Sequence, residues 1–279
     1  MGRDLCLDRS TLPFLKWPGG KRWAGPQICE IIGPRLNRRY FEPFLGGGAI
    51  FFRLAPERAV LSDLNAELID VYSAVKGHPE ELAKKLRTFP TSSDFYYSLR
   101  RSSPRTLIGR AARFLYLNRT AFGGIFRVNQ RGEFNVPYGG GERDHRVLYE
   151  SDLLHRASAA LQHVELVSAD FAKVMGRLRS GDVAYCDPTY SVAHENNGFV
   201  RYNERNFSWR DQERLAAAAK SAQSRGATVI VSNAYHESVR ELFASSSRVV
   251  LHRNSMVSAD VAMRRPVKEY LFVYEALTY

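Results

Sequence analysis

The clearest fold signal in this chain of 279 residues is the run Tyr40-Phe41-Glu42-Pro43-Phe44-Leu45-Gly46-Gly47-Gly48. It predicts a short strand that enters a glycine turn, and the apolar run at residues 49–54 predicts a helix directly after it. A second predicted strand, over residues 59–62, ends at Asp63, and residues 65–75 have a helical pattern. Strands that alternate with helices are typical of a parallel sheet, so the sequence predicts an α/β fold.

The same alternation returns in the second half of the chain. Five further apolar runs predict strands, at residues 164–167, 183–186, 229–231, 249–252 and 270–274. A helix is predicted over residues 211–224, because Ser208 and Asp211 fit a capping box and Gly226 fits a C-cap. We expect the last two strands to close the sheet in antiparallel orientation, which makes it a mixed sheet.

The segment between these two halves, residues 73–163, has a different character. It holds 15 Lys and Arg against 8 Asp and Glu, which accounts for +7 of the chain's net charge of +11. Residues 79–89 and 108–117 have the periodicity of amphipathic helices, and residues 125–129 could pair with residues 133–136 as a β-hairpin. A basic segment of this kind is typical of a protein that binds a polyanion. We interpret it as an insertion into the α/β domain.

The overall composition argues against several classes of protein. No apolar run approaches the roughly 18 residues of a membrane span, and the N-terminus lacks the apolar core of a signal peptide. The three cysteines, Cys6, Cys29 and Cys186, form neither a disulfide framework nor a metal-binding pair, which suits a reducing cytoplasm. The seven histidines show no metal-binding pattern, so we expect no catalytic metal.

A candidate ligand site follows the predicted strand at residues 183–186, in the run Asp187-Pro188-Thr189-Tyr190. In open α/β sheets, ligands bind at the carboxyl ends of the strands. A carboxylate next to an aromatic ring suits a flat ligand with an exocyclic amine, such as a nucleobase. An Asp-Pro turn without any ligand would explain the same residues.

Two glycine-rich runs predict a second ligand. Gly46 to Gly48 lie between a strand and a helix, where glycine lets the backbone approach a ligand, and Asp63 follows at a strand end 17 residues after Gly46. Neither run matches a phosphate-binding loop, so a nucleoside without a pyrophosphate fits better than NAD or ATP. In the run from Lys16 to Lys21, the lysines would attract a carboxylate, and the Trp17 indole would suit a sulfonium cation.

Nearly the whole chain, from Phe14 to about Glu275, resembles the DNA adenine N6-methyltransferases of the Dam type (class alpha, the D12 class). The motifs that carry the resemblance are Lys16-Trp17-Pro18-Gly19-Gly20-Lys21, residues 41–49, Ser62-Asp63-Leu64-Asn65, residues 127–137 and Asp187-Pro188-Thr189-Tyr190. The chain departs from the family pattern at Ser62, where asparagine is usual, and at Thr189, which replaces the second proline of an Asp-Pro-Pro-Tyr motif.

The resemblance implies a Rossmann-like, S-adenosylmethionine-dependent methyltransferase domain with a mixed sheet, formed by residues 1–72 and 164–279. It implies an inserted, mainly helical target-recognition domain that carries a β-hairpin, formed by residues 73–163. S-adenosyl-L-methionine would be the methyl donor and double-stranded DNA the partner, and a cognate restriction endonuclease is left open as a second partner. We expect a cytoplasmic, DNA-associated monomer or weak dimer.

The resemblance also implies roles for individual residues. The cofactor would be bound by Trp17 and Lys21 at its methionine end, by Phe44 and Gly46 along the pocket, by Asp63 at the ribose, and by Asp170 and Phe171 beside its adenine. The catalytic residues that hold the target adenine would be Asp187, Pro188 and Tyr190. Arg127 would read a guanine next to the target. The other expected DNA contacts are Asn129, Asn135 and the phosphate-binding Arg119, Arg131, Arg264 and Arg265.

The chemistry of the target agrees with these roles. Adenine N6 is a poor nucleophile because its lone pair is delocalised into the ring, and a stacked base must flip out of the duplex to reach a donor. The Asp187 carboxylate and the Pro188 carbonyl would accept both amine hydrogens, while Tyr190 would stack on the flipped ring. We expect activity to survive the exchange at Thr189, at a site such as GATC or another that contains GA.

Two other functions stay open at this point. The same fold could methylate cytosine N4, RNA or a protein amide, although Asp187 and the run at residues 127–137 argue against these acceptors. The chain could also be a DNA-binding protein on a degenerate methyltransferase fold, with Thr189 as the sign of decay. Such a protein would bind DNA but not the cofactor.

Overall fold

The computed structural model describes residues 13–129, 132–140, 151–190, 207–254 and 266–276. Seven strands lie in these residues: β1 Tyr40–Glu42, β2 Ala59–Asp63, β3 Val164–Ser168, β4 Val183–Cys186, β5 Thr228–Ala234, β6 Ser247–Asn254 and β7 Pro266–Tyr274. The same residues hold ten α-helices: α1 Gly25–Ile32, α2 Ala49–Leu54, α3 Ala66–Gly77, α4 Pro79–Arg87, α5 Ser93–Arg101, α6 Leu107–Thr120, α7 Ser151–Leu161, α8 Phe171–Met175, α9 Trp209–Ser224 and α10 Glu237–Leu242.

The seven strands form one mixed sheet in the order β3-β2-β1-β4-β5-β7-β6. β1 is parallel to β2 and β4, and β4 is parallel to β5. β7 is antiparallel to both β5 and β6, as the sequence predicts for the last two strands. Every residue of β1 and β4 is buried, which explains why these strands read as continuous rather than alternating apolar runs. The sheet fits a Rossmann-like methyltransferase.

Helix caps lie where the sequence places them. The Ser208 hydroxyl accepts from the Asp211 amide at 3.2 Å, and the Asp211 carboxylate accepts from the Ser208 amide at 3.0 Å. These two bonds complete the predicted capping box at the start of α9. The Asn65 side chain caps α3 in the same way, by accepting from the Leu68 amide at 3.3 Å. A cap of this kind stabilises a helix by about 0.5–2 kcal/mol.

Contacts group the chain into two compact units. Unit 1 comprises Met1–Gly20, Gly46–Ala55 and Asn65–Ser168, and unit 2 comprises Lys21–Leu45, Pro56–Leu64 and Ala169–Tyr279. The predicted division into a catalytic domain (1–72 and 164–279) and an inserted recognition domain (73–163) stays a prediction.

Unit 1 is mainly helical and has an aromatic core. The Phe14 ring packs edge-on against Tyr72 at 4.9 Å and against Phe52 at 5.9 Å. The Tyr116 ring of α6 packs edge-on against Phe89 and Phe95, at 5.7 and 5.3 Å. Apolar contacts of these rings stabilise the packing of α2, α3, α5 and α6. The free energy that such contacts contribute is roughly proportional to the apolar area they bury.

The predicted hairpin near residue 130 is reduced to isolated antiparallel bridges in the described residues. Val128 pairs with Phe134, and Ala121 pairs with Tyr138. We call residues 121–138 the recognition segment; its Gln130 and Arg131 lie outside the described residues. The Tyr96 hydroxyl of α5 donates to the Val136 carbonyl at 2.9 Å, which fixes one end of the segment to the helices.

The described residues also bear on membrane spans, metal sites and cysteines. None of their helices is long and apolar enough to cross a membrane. No group of three His, Cys, Asp or Glu side chains in those ranges is placed to hold a metal ion. Cys29 and Cys186 are buried free thiols, and Cys6 lies outside the described residues.

Candidate active site

Four charged or polar side chains of unit 2 meet where β4 ends, and we call them the Asp187 cluster: Lys21, Asp187, Tyr190 and Glu269. The Lys21 ammonium lies 2.8 Å from Asp187 Oδ1 and 3.5 Å from Glu269 Oε2. The Tyr190 hydroxyl donates to Glu269 Oε2 at 2.7 Å and lies 3.5 Å from Asp187 Oδ1. The same ammonium stands 4.8 Å from the centre of the Tyr190 ring. The fold therefore brings together the predicted residues Lys21, Asp187 and Tyr190.

Burial controls the electrostatics of this cluster. The side chains of Lys21, Asp187 and Glu269 are only 4%, 18% and 10% exposed. Burial raises the pKa of Asp187 above its ordinary value, and the Lys21 ammonium opposes that rise. Burial and the two neighbouring carboxylates also raise the pKa of Tyr190 well above its ordinary value. The tyrosine therefore stays a neutral phenol, and the lysine favours the carboxylate form of Asp187.

The sheet register places these groups. Cys186 of β4 pairs with Val231 of β5, so Asp187 leaves the sheet beside Ser232. Next to them, the Tyr185 and Ser232 hydroxyls are hydrogen bonded at 2.7 Å in a fully buried position. Ala234 of β5 pairs with Glu269 of β7, which sets the glutamate at the same edge. Buried strands hold their ends rigidly, so the carboxylates are positioned before any ligand binds.

A second cluster in unit 2 combines aromatic rings with a carboxylate. The Phe44 ring, just after β1, stacks on Phe171 at 5.2 Å, and Phe207 packs edge-on against Phe44 at 5.5 Å. The Asp170 carboxylate caps α8 by accepting from the Ala172 amide at 2.9 Å. A flat apolar wall beside a hydrogen-bond acceptor is the chemistry that a purine with an exocyclic amine requires.

Asp63 ends β2 at the same edge of the sheet. Its backbone carbonyl accepts from the Ala169 amide at 3.1 Å, one residue before Asp170. The neighbouring Ser62 carbonyl accepts from the Leu45 amide at 2.9 Å, one residue after Phe44. These two backbone bonds bring the ends of β1 and β2 next to the start of α8. The predicted cofactor residues Phe44, Asp63, Asp170 and Phe171 therefore lie around one edge.

In unit 1, the Trp17 indole covers the glycine turn. Gly46 has a φ of +47°, and a Cβ built on it would lie 2.7 Å from Trp17 Nε1. The Gly46 carbonyl also accepts from the Tyr72 hydroxyl at 3.1 Å. The Trp17 ring also stacks on the Phe126 ring, with 5.5 Å between the ring centres and 19° between the ring planes. Only glycine fits at position 46 without strain, because φ is positive and the Trp17 indole occupies the space that a side chain would need.

Two polar residues at the end of α6 bind the N-terminal segment. The buried Asn118 amide donates to the Lys16 carbonyl at 2.7 Å, and its oxygen accepts from the Lys16 amide at 3.0 Å. The Arg119 guanidinium donates to the Phe14 carbonyl at 2.6 Å. Arg119, which we predicted to bind a phosphate, thus has a backbone partner in this structure, and its DNA contact stays a prediction.

The predicted base-reading residues lie at the surface of the recognition segment. Arg127 Nε donates to Asn135 Oδ1 at 2.9 Å, and Asn129 Nδ2 donates to Glu133 Oε2 at 2.9 Å. Both bonds are solvent-exposed. Of the remaining predicted DNA contacts, Arg131, Arg264 and Arg265 lie outside the described residues.

Comparison with known proteins identifies the family. The model of the D12 class N6 adenine-specific DNA methyltransferases matches residues 17–257. The chain belongs to this family.

The similarity of individual relatives to this methyltransferase supports its membership of the family. A Type II methyltransferase, M1.LlaDCHI of Lactococcus lactis subsp. cremoris, is 37% identical over 83% of this chain and 84% of its own length. A Type II methyltransferase of Methanocaldococcus jannaschii, M.MjaIII, is 32% identical over 80% of this chain and 84% of its own. A DNA adenine methylase of Salmonella typhi is 32% identical over 94% of this chain and 95% of its own.

Adenine N6 methylation of DNA is therefore the activity of this methyltransferase, as the motifs predict. Cytosine N4, RNA and protein amides are set aside as acceptors. The Asp187 cluster places a carboxylate beside an aromatic ring, and this chemistry is compatible with an exocyclic amine.

Four residues at these sites have no role in the sequence-based predictions: Phe126, Phe207, Arg214 and Glu269. For Glu269 the sequence contains a signal, because this acid stands directly before the apolar run at residues 270–274. The Arg214 guanidinium lies 2.7 Å from the Asp170 carboxylate. The position of Arg214 on a predicted helix does not predict this ion pair. Phe126 lies in residues 125–129, which the sequence predicts as one strand of a hairpin, with no role at the site. Contacts between residues far apart in the chain decide the surroundings of all four.

Proposed function

We propose that this methyltransferase transfers a methyl group from S-adenosyl-L-methionine to N6 of an adenine flipped out of duplex DNA, at a specific site. Family membership supports DNA adenine as the acceptor. The observation that carries the proposal is the Asp187 cluster, in which a buried carboxylate at the end of β4 lies 2.8 Å from the Lys21 ammonium, which favours its ionised form.

The residues present fit the proposed cofactor. Gly46 has no space for a side chain under Trp17, so glycine at this position lets the Trp17 indole lie directly on the turn. Phe44 and Phe171 supply apolar ring faces, and Asp170 supplies an acceptor that is 41% exposed. We assign the cofactor to Trp17, Lys21, Phe44, Gly46, Asp63, Asp170 and Phe171. When bound, the cofactor supplies an electrophilic methyl group.

The protein's part in the chemistry is to orient the amine. The Asp187 carboxylate accepts one N6 hydrogen, and the Pro188 carbonyl accepts the other, which localises the nitrogen lone pair toward the methyl group. A carboxylate has acceptor capacity for several donors, so pairing with Lys21 does not prevent this. Acceptors that are already in place need no reorganisation during the reaction, and such preorganisation supplies most of the rate enhancement in many enzymes.

Tyr190 holds the flipped base. Its ring is a stacking surface, and base–aromatic stacking contributes about 1–3 kcal/mol. The hydrogen bond to Glu269 at 2.7 Å and the Lys21 ammonium at 4.8 Å fix the ring before the base arrives. A preformed surface lowers the entropy cost of capturing a base that has left the stack.

Sequence reading is assigned to the recognition segment. Arg127 reads a guanine beside the target, with Asn129, Arg131 and Asn135 as further contacts and Arg119 as a phosphate contact. A site that contains GA, such as GATC, suits this assignment. We place the recognition function in residues 73–163 and the catalytic function in residues 1–72 and 164–279. A cognate endonuclease, a cytoplasmic and DNA-associated location, and a monomer or weak dimer stay predictions.

The test is to incubate unmethylated plasmid with the protein and S-adenosylmethionine and to map N6-methyladenine by sequencing. We expect methylation at one short motif that contains GA. Asp187→Ala is the matched control, since it removes the carboxylate from an otherwise intact protein. Product on cytosine, product scattered over all adenines, or product formed equally by the control would contradict the proposal.

A further inference from the structure

One arginine of unit 2, Arg214 on α9, contacts two carboxylates and an aromatic ring. Its guanidinium donates through Nη2 to Asp170 Oδ1 and through Nη1 to Asp211 Oδ1, each at 2.7 Å. The central carbon of the guanidinium also stands 4.8 Å from the centre of the Phe171 ring. These contacts together hold the guanidinium in one orientation, because its planar donors have a fixed geometry.

The contacts of Arg214 contribute little to the stability of the fold. The side chains of Arg214 and Asp170 are each 41% exposed, and exposed ion pairs have small effects on the free energy of unfolding. The start of α9 has its own capping box, formed by Ser208 and Asp211. Orientation of the Asp170 carboxylate is therefore a better explanation for the position of Arg214 than stabilisation of the helix.

The Asp170 carboxylate is fixed through one of its two oxygens. Oδ1 accepts from the Ala172 amide at 2.9 Å and from the Arg214 guanidinium at 2.7 Å. Neither of these bonds uses Oδ2. Each carboxylate oxygen has its own acceptor sites, so Oδ2 can accept a hydrogen from a ligand while the bonds to Oδ1 fix its direction.

The rings beside this carboxylate indicate which ligand Oδ2 would meet. Phe171 follows Asp170 in the chain, and the half-buried Phe44 ring stacks on it at 5.2 Å. An adenine that lies against such rings carries its 6-amino group, a hydrogen-bond donor, at its edge. Arg214 has donors only and cannot bind that amine itself, but its charge favours the ionised form of the carboxylate that can.

We propose that Arg214 is a positioning residue that makes the cofactor site selective for adenine, by fixing Asp170 so that its Oδ2 accepts a hydrogen from the 6-amino group of the cofactor. The proposal rests on the proposed function, which assigns Asp170 and Phe171 to the cofactor. A carboxylate that is already oriented loses less entropy when the amine binds than a free one. Selectivity for the amine then depends on an arginine 44 residues away in the chain from the carboxylate.

Calorimetric binding of two ligands tests the proposal. One is S-adenosylhomocysteine, which is the cofactor without its methyl group, and the other is its analogue with hydrogen in place of the 6-amino group. A hydrogen bond to a charged group corresponds to about 10–100-fold in affinity, so the wild-type protein should prefer S-adenosylhomocysteine by that factor. In Arg214→Ala the preference should fall by about tenfold, mainly through weaker binding of S-adenosylhomocysteine. Arg214→Lys should lose most of the preference too, because a single ammonium cannot reproduce the planar fork.

Arg210→Ala is the matched control, because Arg210 is an exposed arginine in the first turn of the same helix. It should keep the wild-type preference, and thermal unfolding of all three variants should stay close to that of the wild-type protein. A purely structural role for Arg214 predicts equal weakening of both ligands. That result, or a wild-type preference in either Arg214 variant, overturns the proposal.

The wild-type protein separates this proposal from the proposed function. Failure to bind S-adenosylhomocysteine, or to methylate plasmid adenine in a parallel assay, would overturn the assigned cofactor or reaction, and the role of Arg214 with it. Binding and methylation with equal affinity for the two ligands would overturn only the selectivity that we assign to Arg214 and Asp170.

Discussion

In the Asp187 cluster, the Lys21 ammonium lies within 3.5 Å of each of two largely buried carboxylates, whereas Arg127 in the recognition segment is bonded to a neutral amide at the surface. Sheet strands hold the first region. Isolated bridges and side-chain bonds hold the second.

This difference agrees with the roles that we propose for the two regions. A group that orients a reacting amine must already be in place and in one ionisation state, and a dry environment strengthens its interactions. A group that reads a base edge must exchange its present partner for the base. The exposed Arg127–Asn135 bond is suited to such an exchange, because breaking an exposed hydrogen bond costs little when water or DNA replaces it.

The largest effect is expected at the buried carboxylate. Asp187→Ala removes the proposed acceptor for N6, and loss of a preorganised group of this kind lowers the rate by about 10²–10³-fold or more. Single-turnover methyl transfer measures the loss, with calorimetric binding of S-adenosylmethionine as the control for folding. A rate within tenfold of wild type would remove Asp187 from the mechanism.

Lys21→Met should have the next largest effect, because it leaves two buried carboxylates without their cation. The pKa of Asp187, already raised by burial, should rise further. The active form is the carboxylate, so wild-type activity falls as the pH drops through this raised pKa, and the variant should lose activity at a higher pH. We expect a rate reduced by about 10–100-fold near neutral pH.

The pH profile of single-turnover transfer separates two roles for this lysine. Lys21→Arg keeps a cation beside Asp187, so its pH profile of transfer should stay close to that of the wild-type protein. An unchanged profile in Lys21→Met, with only weaker cofactor binding, would instead favour contact of Lys21 with the cofactor carboxylate.

A smaller and different effect is expected from Arg127→Ala. A bidentate arginine contributes about 1–3 kcal/mol of discrimination at a guanine. The variant should lose discrimination at one base pair while transfer to the original site continues. Competition between duplexes that differ at single positions measures this. Equal weakening on every duplex would show that Arg127 contacts only the backbone.

Thr189→Pro should have the smallest effect, although it restores the family's usual residue. The Thr189 side chain is exposed, while the neighbouring Pro188 is buried. Proline is the usual residue at this position of the family pattern, and a proline that the backbone accommodates changes stability by no more than about 1 kcal/mol. We therefore expect transfer rates within about twofold of wild type. A gain of tenfold would mean that the loop around Asp187 is less rigid than its contacts indicate.

Local patterns predict much of the fold. Alternation of strands and helices, the glycine turn after β1 and the capping box at Ser208 all appear in the structure at the predicted places. Helices α1, α5, α7, α8 and α10 were not predicted. In α5 the apolar face is made largely of tyrosine and phenylalanine, and helix propensity alone is a weak guide for such short elements.

The sequence by itself determined the family, the α/β alternation and the position of Asp187 at the end of a buried strand, because these depend on residues that are neighbours in the chain. Only the tertiary structure decided that Lys21 and Glu269 share the site with Asp187. These three side chains come from distant parts of the chain, and sheet register brings them together. Whether a buried carboxylate is paired depends on that register, which no local pattern contains.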